Sequence, residues 1–488
     1  MQLSTLKSAL FGYIVPIALY IFISISHLNA AEKESVDLIV YGEYLITMDE
    51  SKPIIKNGAV AIQGNQIIAV AEKEQINRRY RSLKNIQGKS RILMPGLING
   101  HTHSAMSLFR GMADDLELMP WLNNFIFPME AKFVDKDFIA TGTQLACWEM
   151  IRGGTTTFVD MYFYPEIISQ QTVNCGLRAI VGAPMIDYPS PGFEGWHDSF
   201  AAAVKYVEKW QGRHERIIPA FAPHAPYTVS AKHLRVTANK ARELKAPISI
   251  HLAESLSELK MLDEQYRQTP IKFVEQQGLF EQNKVIGAHM VHPTDADISI
   301  LASKKVGAIH NPTSNLKLAA GIAPVVSMLK QGVKVGLGTD GAASNNDLDM
   351  WEEIRLAALL HKVKSNDPTA IPALTALKMA TSEGAKAIGL GEITGQLKPG
   401  MKADMIQLSI DNLRLAPLYN VISHLVYVAD SNDVVTTIVS GKLLMVDQKI
   451  LTIDEKWLTK AVIQKSLEIK KALKTNKNCK EIVNCEGA

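Results

Sequence analysis

From residue 36 to residue 92 the chain is a series of short apolar runs broken by tight turns. Residues 37–41 and 58–62 are two such runs, and Gly64-Asn65 sits at a hairpin turn ahead of a third at 67–70. The same character returns far along the chain, at 403–408 and 434–439, where Gly441-Lys442 turns into 443–446. Two strand-rich pieces thus bracket a long middle. The pattern predicts one small β-sandwich domain built from both ends of the mature chain, its first part at 36–94 and its second at 396–450.

The middle, 95–395, has a different rhythm. Eight short apolar strands are expected at 97–99, 156–160, 179–182, 217–222, 248–250, 285–288, 308–309 and 335–338. Helix-length segments lie between most of them, such as 137–152, 231–244 and 323–331. Eight strand–helix units over about 250 residues is the size of a (β/α)8 TIM barrel. The fold class is therefore α/β, a barrel carrying a small β domain. Beyond it, 451–488 reads as a C-terminal helix and tail. Apolar residues at helical spacing (Trp457, Leu458, Val462, Leu467) make 454–474 an amphipathic surface helix.

The N-terminus changes the picture of where the protein works. Lys7 precedes an apolar run from Ala9 to about Ile25, then Ala30-Ala31 and the charged Glu32-Lys33-Glu34. This is the layout of a secretory signal, with an uncleaved single-span anchor as the alternative. Either places the mature protein outside the cytoplasm, in a bacterial periplasm, with membrane contact only through residues 1–30. The formal net charge of +3 excludes nucleic acid as a partner class. From Leu451 onward there are eight Lys against five Asp and Glu, so that segment accounts for the whole surplus. A small-molecule substrate is expected, and self-association into a homo-oligomer is left open. Cys147 and Cys175 fall in apolar segments and read as buried thiols. Cys479 and Cys485 lie close together in the tail, where an oxidising compartment would allow a local disulfide.

The strand ends carry the chemistry. Strand one runs into His101-Thr102-His103, strand four into His224, strand five into His251-Leu252-Ala253-Glu254, strand six into His289-Met290-Val291-His292, strand seven into His310, and strand eight into Thr339-Asp340-Gly341. Of 13 histidines, most lie at these positions, whereas random placement would scatter them. Strand C-termini are where a TIM barrel builds its site. On an extended backbone, His101 and His103 aim two imidazoles to one side, with Gly100 turning the backbone just ahead of them. With His251 and Asp340 they make a ligand set for one divalent ion, zinc favoured over iron. Asp340 can also accept a proton from an ion-bound water, whose pKa falls towards about 7. Glu254 is then free to act as general acid and base, and His289 to orient the water or polarise the substrate.

Longer stretches give a resemblance. PGLINGHTHSAMSLFRGMADDLELMPWL (95–122), FVDMY (158–162), APHAPYT (222–228), IHLAES (250–255), GAHMVH (287–292), HNPTSNLKLAAGIAPV (310–325) and LGTDGAASNN (337–346) follow one another in order and spacing. Together they resemble the amidohydrolase superfamily, in the branch of 5′-methylthioadenosine/S-adenosylhomocysteine deaminases and triazine hydrolases. The resemblance implies the same site: His101, His103, His251 and Asp340 as metal ligands, with Glu254 and His289 in catalysis. It also implies substrate contacts: Glu130 on the ribose hydroxyls, Trp121 lining the adenine pocket, and His224 and Arg178 in the substrate pocket. A histidine, His224, ends strand four where binuclear relatives carry a bridging lysine, so one metal is expected.

The expected function is hydrolytic deamination of an aminated purine nucleoside such as 5′-methylthioadenosine, S-adenosylhomocysteine or adenosine. Hydrolysis of a triazine or other N-heterocycle is the alternative within the class, together with guanine- or cytosine-type deamination. An exported metal- or nucleoside-binding protein without turnover is the alternative outside it. Glu254 and His289 speak against that one, because neither is needed merely to hold metal.

Overall fold

The computed structural model describes residues 32–474. The apolar N-terminal segment, with its predicted export signal, and the Cys479/Cys485 pair lie outside these residues. The eight predicted barrel strands all form. In chain order they are β1 (Leu97–Thr102), β2 (Thr155–Met161), β3 (Arg178–Met185), β4 (Ile217–Pro223), β5 (Ile248–Leu252), β6 (Val285–His289), β7 (Gly307–His310) and β8 (Lys334–Leu337). Each is parallel to its sequence neighbour, as helical crossovers require.

Closure between β8 and β1 is made just past the end of β8. The Asp340 N–H donates to the His101 carbonyl at 3.0 Å, and the Thr339 N–H to Asn99 Oδ1 at 3.0 Å. Gly338 permits this approach, because a Cβ there would lie 2.8 Å from the His101 nitrogen. Gly100 serves the same end. It does not end the strand; β1 continues through it to Thr102 with a bulge in its pairing to β2 between Asn99 and Thr102, and a Cβ would meet Ile309 and the Leu337 carbonyl.

The barrel interior is divided along its axis. Ile98, Val159, Ile180, Ile286 and Ile309 fill the half nearest the strand N-termini, capped by Ile388. The histidines therefore occupy only the opposite, C-terminal half. Helix Lys136–Gly153 packs outside, slightly longer than predicted. Asp135 caps its start by accepting from the Phe138 N–H at 2.7 Å, and Gly154 ends it at φ 85°. The helix predicted at 323–331 is only Val325–Lys330, since Pro324 keeps Ala323 out of helical conformation.

Both ends of the described chain meet in one further sheet. Its strands run Lys449–Ile450, Lys442–Val446, Val434–Val439, Met405–Ser409, Arg91–Pro95, Leu38–Ile46, Ile54–Gln63 and Gln66–Glu72, with Asn85–Ile86 beside Leu38–Ile46. The two ends join where Met405–Ser409 pairs antiparallel with Arg91–Pro95. The predicted sandwich is thus one continuous sheet curled over a shared core of Val40, Leu45, Val60, Ile62, Met405 and Ile438. The hairpin at Gly64 returns to the other end through Ile67 N–H to Met401 O and Ala403 N–H to Asn65 O, both 2.9 Å. Helix Glu455–Leu473 forms as predicted, but its buried stripe is Leu458, Ile469, Ala472 and Leu473, leaving Trp457 and Leu467 exposed.

Candidate active site

The strand ends converge as their sequence positions suggested. His101 on β1 is fully buried, and neither ring nitrogen has a hydrogen-bond partner. One ligand atom each from His101, His251, His289 and Asp340 lies within 4.8 Å of the others. His103 Nε2 joins them, 3.2 Å from both His251 Nε2 and Asp340 Oδ1.

The hydrogen bonds fix which nitrogens are free. His103 Nδ1 donates to the Met161 carbonyl at 2.6 Å, and His251 Nδ1 to the His224 carbonyl at 2.8 Å. Each ring, when neutral, then presents an unprotonated Nε2 to the other; against burial, Asp340 raises His103 to about 9, so without a metal that ring takes a proton. Lone pairs aimed together in a buried site repel unless a cation lies between them. Burial also pushes His101 down to about 4, which keeps its imidazole neutral. Burial opposes charge on Asp340, but the close approach of His101 Nε2 and His103 Nε2 to its Oδ1, at 3.3 and 3.2 Å, overrides this and holds its carboxyl well below the usual range. Neutral imidazoles and a carboxylate are the donor set of a divalent ion such as zinc, so the residues present fit a metal.

The surrounding side chains hold these groups in place. Ser314 and Ser344 hydroxyls donate to Asp340 Oδ2 at 2.8 and 2.7 Å. His289 Nδ1 donates to Asn315 Oδ1 at 2.8 Å, so its Nε2 faces the floor, 3.7 Å from Glu254 Oε1. The backbone is left-handed at Ala253, His289 and Asp340, with φ of 52°, 72° and 64°. For residues other than glycine this is costly, and here it coincides with the functional strand ends.

Glu254 is buried, and desolvation raises its pKa against the opposing pull of His289. Its backbone is pinned by Glu258, whose carboxyl accepts the Ala253 and Glu254 N–H groups at 3.1 and 2.7 Å. Glu258 escaped the sequence reading. Its signal was the capping-box spacing Ser255-x-x-Glu258, and Ser255 does accept the Glu258 N–H at 3.2 Å. The glutamate's own carboxyl, however, reaches past the cap to the loop carrying Glu254. Tyr162, Ser314 and Asn315 lay within recognised stretches, but nothing local marked their partners.

Above this floor is a cavity of about 700 Å³ including its mouth, and Trp121, Glu130 and His224 all line it. Glu130 lies in helix Phe127–Phe133, buried, and accepts the Tyr162 hydroxyl at 2.7 Å. Desolvation pushes its carboxyl up to about 7 despite that bond. His224 Nδ1 pairs with Thr228 Oγ1 at 2.9 Å, and burial lowers its pKa to about 3.

Arg178 is the exception. It opens β3, while the cavity lies beyond the other end of that strand, a span of roughly 20–25 Å at 3.3 Å per residue. Its guanidinium grips Asp404 with Nε and a terminal nitrogen, at 2.9 and 3.2 Å, and also donates to Ser440 Oγ at 3.0 Å. Arg178 therefore joins the barrel floor to the curled sheet and does not touch substrate. A bidentate pair buried this deeply leaves an uncompensated charge if one partner is removed.

The amidohydrolase family matches residues 92–444. A 5-methylthioadenosine/S-adenosylhomocysteine deaminase of Carboxydothermus hydrogenoformans is 46% identical over 410 residues, 84% of this chain and 93% of that one. A 5′-deoxyadenosine deaminase of Methanosarcina barkeri is 44% identical over 425 residues, 86% of this chain and 95% of that one. The crystal structure of a zinc-bound adenosine deaminase from Xanthomonas campestris superposes with a TM-score of 0.88 at 36% identity, covering 90% of this chain and all of that one. The chain belongs to the amidohydrolase family.

Proposed function

We propose that the protein is a metal-dependent hydrolytic deaminase of adenosine-type nucleosides. The observation that carries the reading is that one cavity holds Glu254 beside a cluster of metal-ligating side chains and, on its wall, Glu130 with Trp121. The relatives named above act on such nucleosides. His101, His103, His251 and Asp340 are the assigned ligands of one ion, and His289 stays free to orient water.

The ion, when bound, supplies Lewis acidity that brings the pKa of a water towards about 7. Asp340 takes one proton from the attacking water as its oxygen bonds to the ring carbon bearing the amine. Glu254, whose carboxyl burial shifts towards the protonated form, gives its proton to the adjacent ring nitrogen. The carbon is then tetrahedral. Its hydroxyl proton returns to Glu254, the proton on Asp340 passes to the amine, and the carbon–nitrogen bond breaks to release ammonia.

Glu130 is the residue most diagnostic of a nucleoside. A carboxylate accepts hydrogen bonds from two neighbouring ribose hydroxyls, and a free base or triazine has no such diol. Glu130→Gln should lower kcat/KM on adenosine derivatives at least tenfold, about 1.4 kcal/mol, and leave activity on a base lacking ribose nearly unchanged. Equal losses on both would mark a folding role. With its carboxyl at about 7, wild-type kcat/KM on nucleosides should rise as pH climbs through that value, and the Gln variant should lose this limb. Stability runs the opposite way. A raised carboxyl contributes stability below the ordinary carboxylate range that is lost as pH rises through about 7, so the variant's Tm should fall less over that interval.

We also propose export, resting on the apolar run 9–25 and the small residues after it. Among the described residues no helix is long and apolar enough to cross a membrane. N-terminal sequencing of the protein from native cell fractions should find a chain beginning near Ala31 or Glu32. An intact Met1 in a membrane fraction would mean an anchor, and an intact Met1 in the cytosol would end the claim.

A further inference from the structure

We propose that the cavity selects adenosine derivatives whose 5′ substituent is small, uncharged and apolar over those that carry an amino-acid tail. The inference rests on the deaminase reading and adds a substrate preference to it. Away from the catalytic floor the walls are apolar, built from Leu118, Leu122, Phe127, Phe163, Ile186 and Leu318. A methylthio or methyl group would exchange water for these surfaces and gain affinity for each carbon buried.

The charges around the cavity point the same way. Its carboxyl groups are Glu130, Glu254 and Asp340, and among the described residues no lysine or arginine lines it. Arg178, the cation that the family resemblance placed in the pocket, is committed to Asp404 at the other end of β3. Lys317 is the chain neighbour of the wall residue Leu318, but Asp114 pairs with it and it donates to Asn346 Oδ1 at 2.7 Å. The loop after β3 contributes Asp187 and Glu194 and no cation between residues 187 and 196. Asp187 is in turn held by His233 Nδ1 at 2.8 Å and the Ser230 N–H at 3.0 Å. The exposed Asp115 and Glu117 lie on the segment leading to Leu118.

A homocysteine tail ends in an ammonium and a carboxylate. Inside the cavity that carboxylate would be desolvated against apolar walls and acidic neighbours, with no lysine or arginine to pair with. Turned outward to solvent, the tail would forfeit the apolar contacts that a methylthio group makes. Both placements leave the tailed substrate behind.

Steady-state ammonia release by the metal-loaded protein tests this with adenosine, 5′-methylthioadenosine and S-adenosylhomocysteine. The expected kcat/KM for 5′-methylthioadenosine exceeds that for S-adenosylhomocysteine at least tenfold. Ile186→Arg places a cation on the half-buried wall position after β3, and it should narrow that ratio through a lower KM for the tailed substrate. A wild-type ratio below ten, with adenosine and 5′-methylthioadenosine both turned over, overturns the selectivity and leaves the deaminase reading standing. Failure on all three nucleosides overturns both.

Discussion

Glu254→Gln should lower kcat on the best nucleoside by roughly 10²–10⁴-fold, the usual contribution of a positioned general acid, while leaving metal content and KM nearly unchanged. The substitution keeps size and shape and removes the proton. Burial favours that proton, because desolvation raises the side chain's pKa. The Gln amide can still sit where Glu254 faces His289 at 3.7 Å, and Glu258 still grips the backbone N–H groups of residues 253 and 254. The loss should therefore fall on the chemical step and not on folding. Ammonia-release kinetics beside elemental analysis give both quantities. A variant that keeps wild-type kcat would remove Glu254 from proton transfer. One that loses its metal as well would make it a structural carboxylate.

His251→Ala should abolish activity by a different route, through loss of the ion. In the wild type His103 Nε2 and His251 Nε2 face each other across 3.2 Å, with Asp340 Oδ1 another 3.2 Å from His103. A cation relieves this arrangement, so its binding energy is also folding energy. We expect one divalent ion per wild-type chain, close to none in the variant, and a fall in Tm when a chelator strips the wild type. Since the ligands must be deprotonated, retention of the ion should weaken as pH falls. Undiminished metal in the variant, or two ions in the wild type, would contradict the assignment.

What the sequence made legible is what a strand carries locally. His101 and His103 could be read because two-residue spacing on an extended backbone sends both imidazoles to one side. His251, His289 and Asp340 could be read because each follows a short apolar run. Glu258 was hidden because its role depends on a side chain turning back to backbone amides of residues 253 and 254. The partnership of Tyr162 with Glu130 spans 32 residues, and no local pattern records it. Arg178 is the instructive error. The predicted third strand began at Ala179, which already put Arg178 at the strand's N-terminal end, away from any barrel active site. The family resemblance implies a place in the pocket and the strand register the opposite end of the barrel, and the bidentate Asp404 pair agrees with the register.

The curled sheet follows similar logic. Its strands were legible from short apolar runs and hairpin glycines, and the joining of the two chain ends from their shared character. The continuity of the sheet was not, because it depends on contacts across more than 300 residues, above all the pairing of Arg91–Pro95 with Met405–Ser409.

The central claim is deamination of an adenosine-type nucleoside, and the most direct test is product analysis. Metal-loaded protein is incubated in parallel with 5′-methylthioadenosine and with a chlorinated triazine. The account predicts equimolar ammonia and the 6-oxo purine nucleoside from the first, and no chloride from the second. Chloride from the triazine, with no ammonia from 5′-methylthioadenosine, adenosine or 5′-deoxyadenosine, would contradict it.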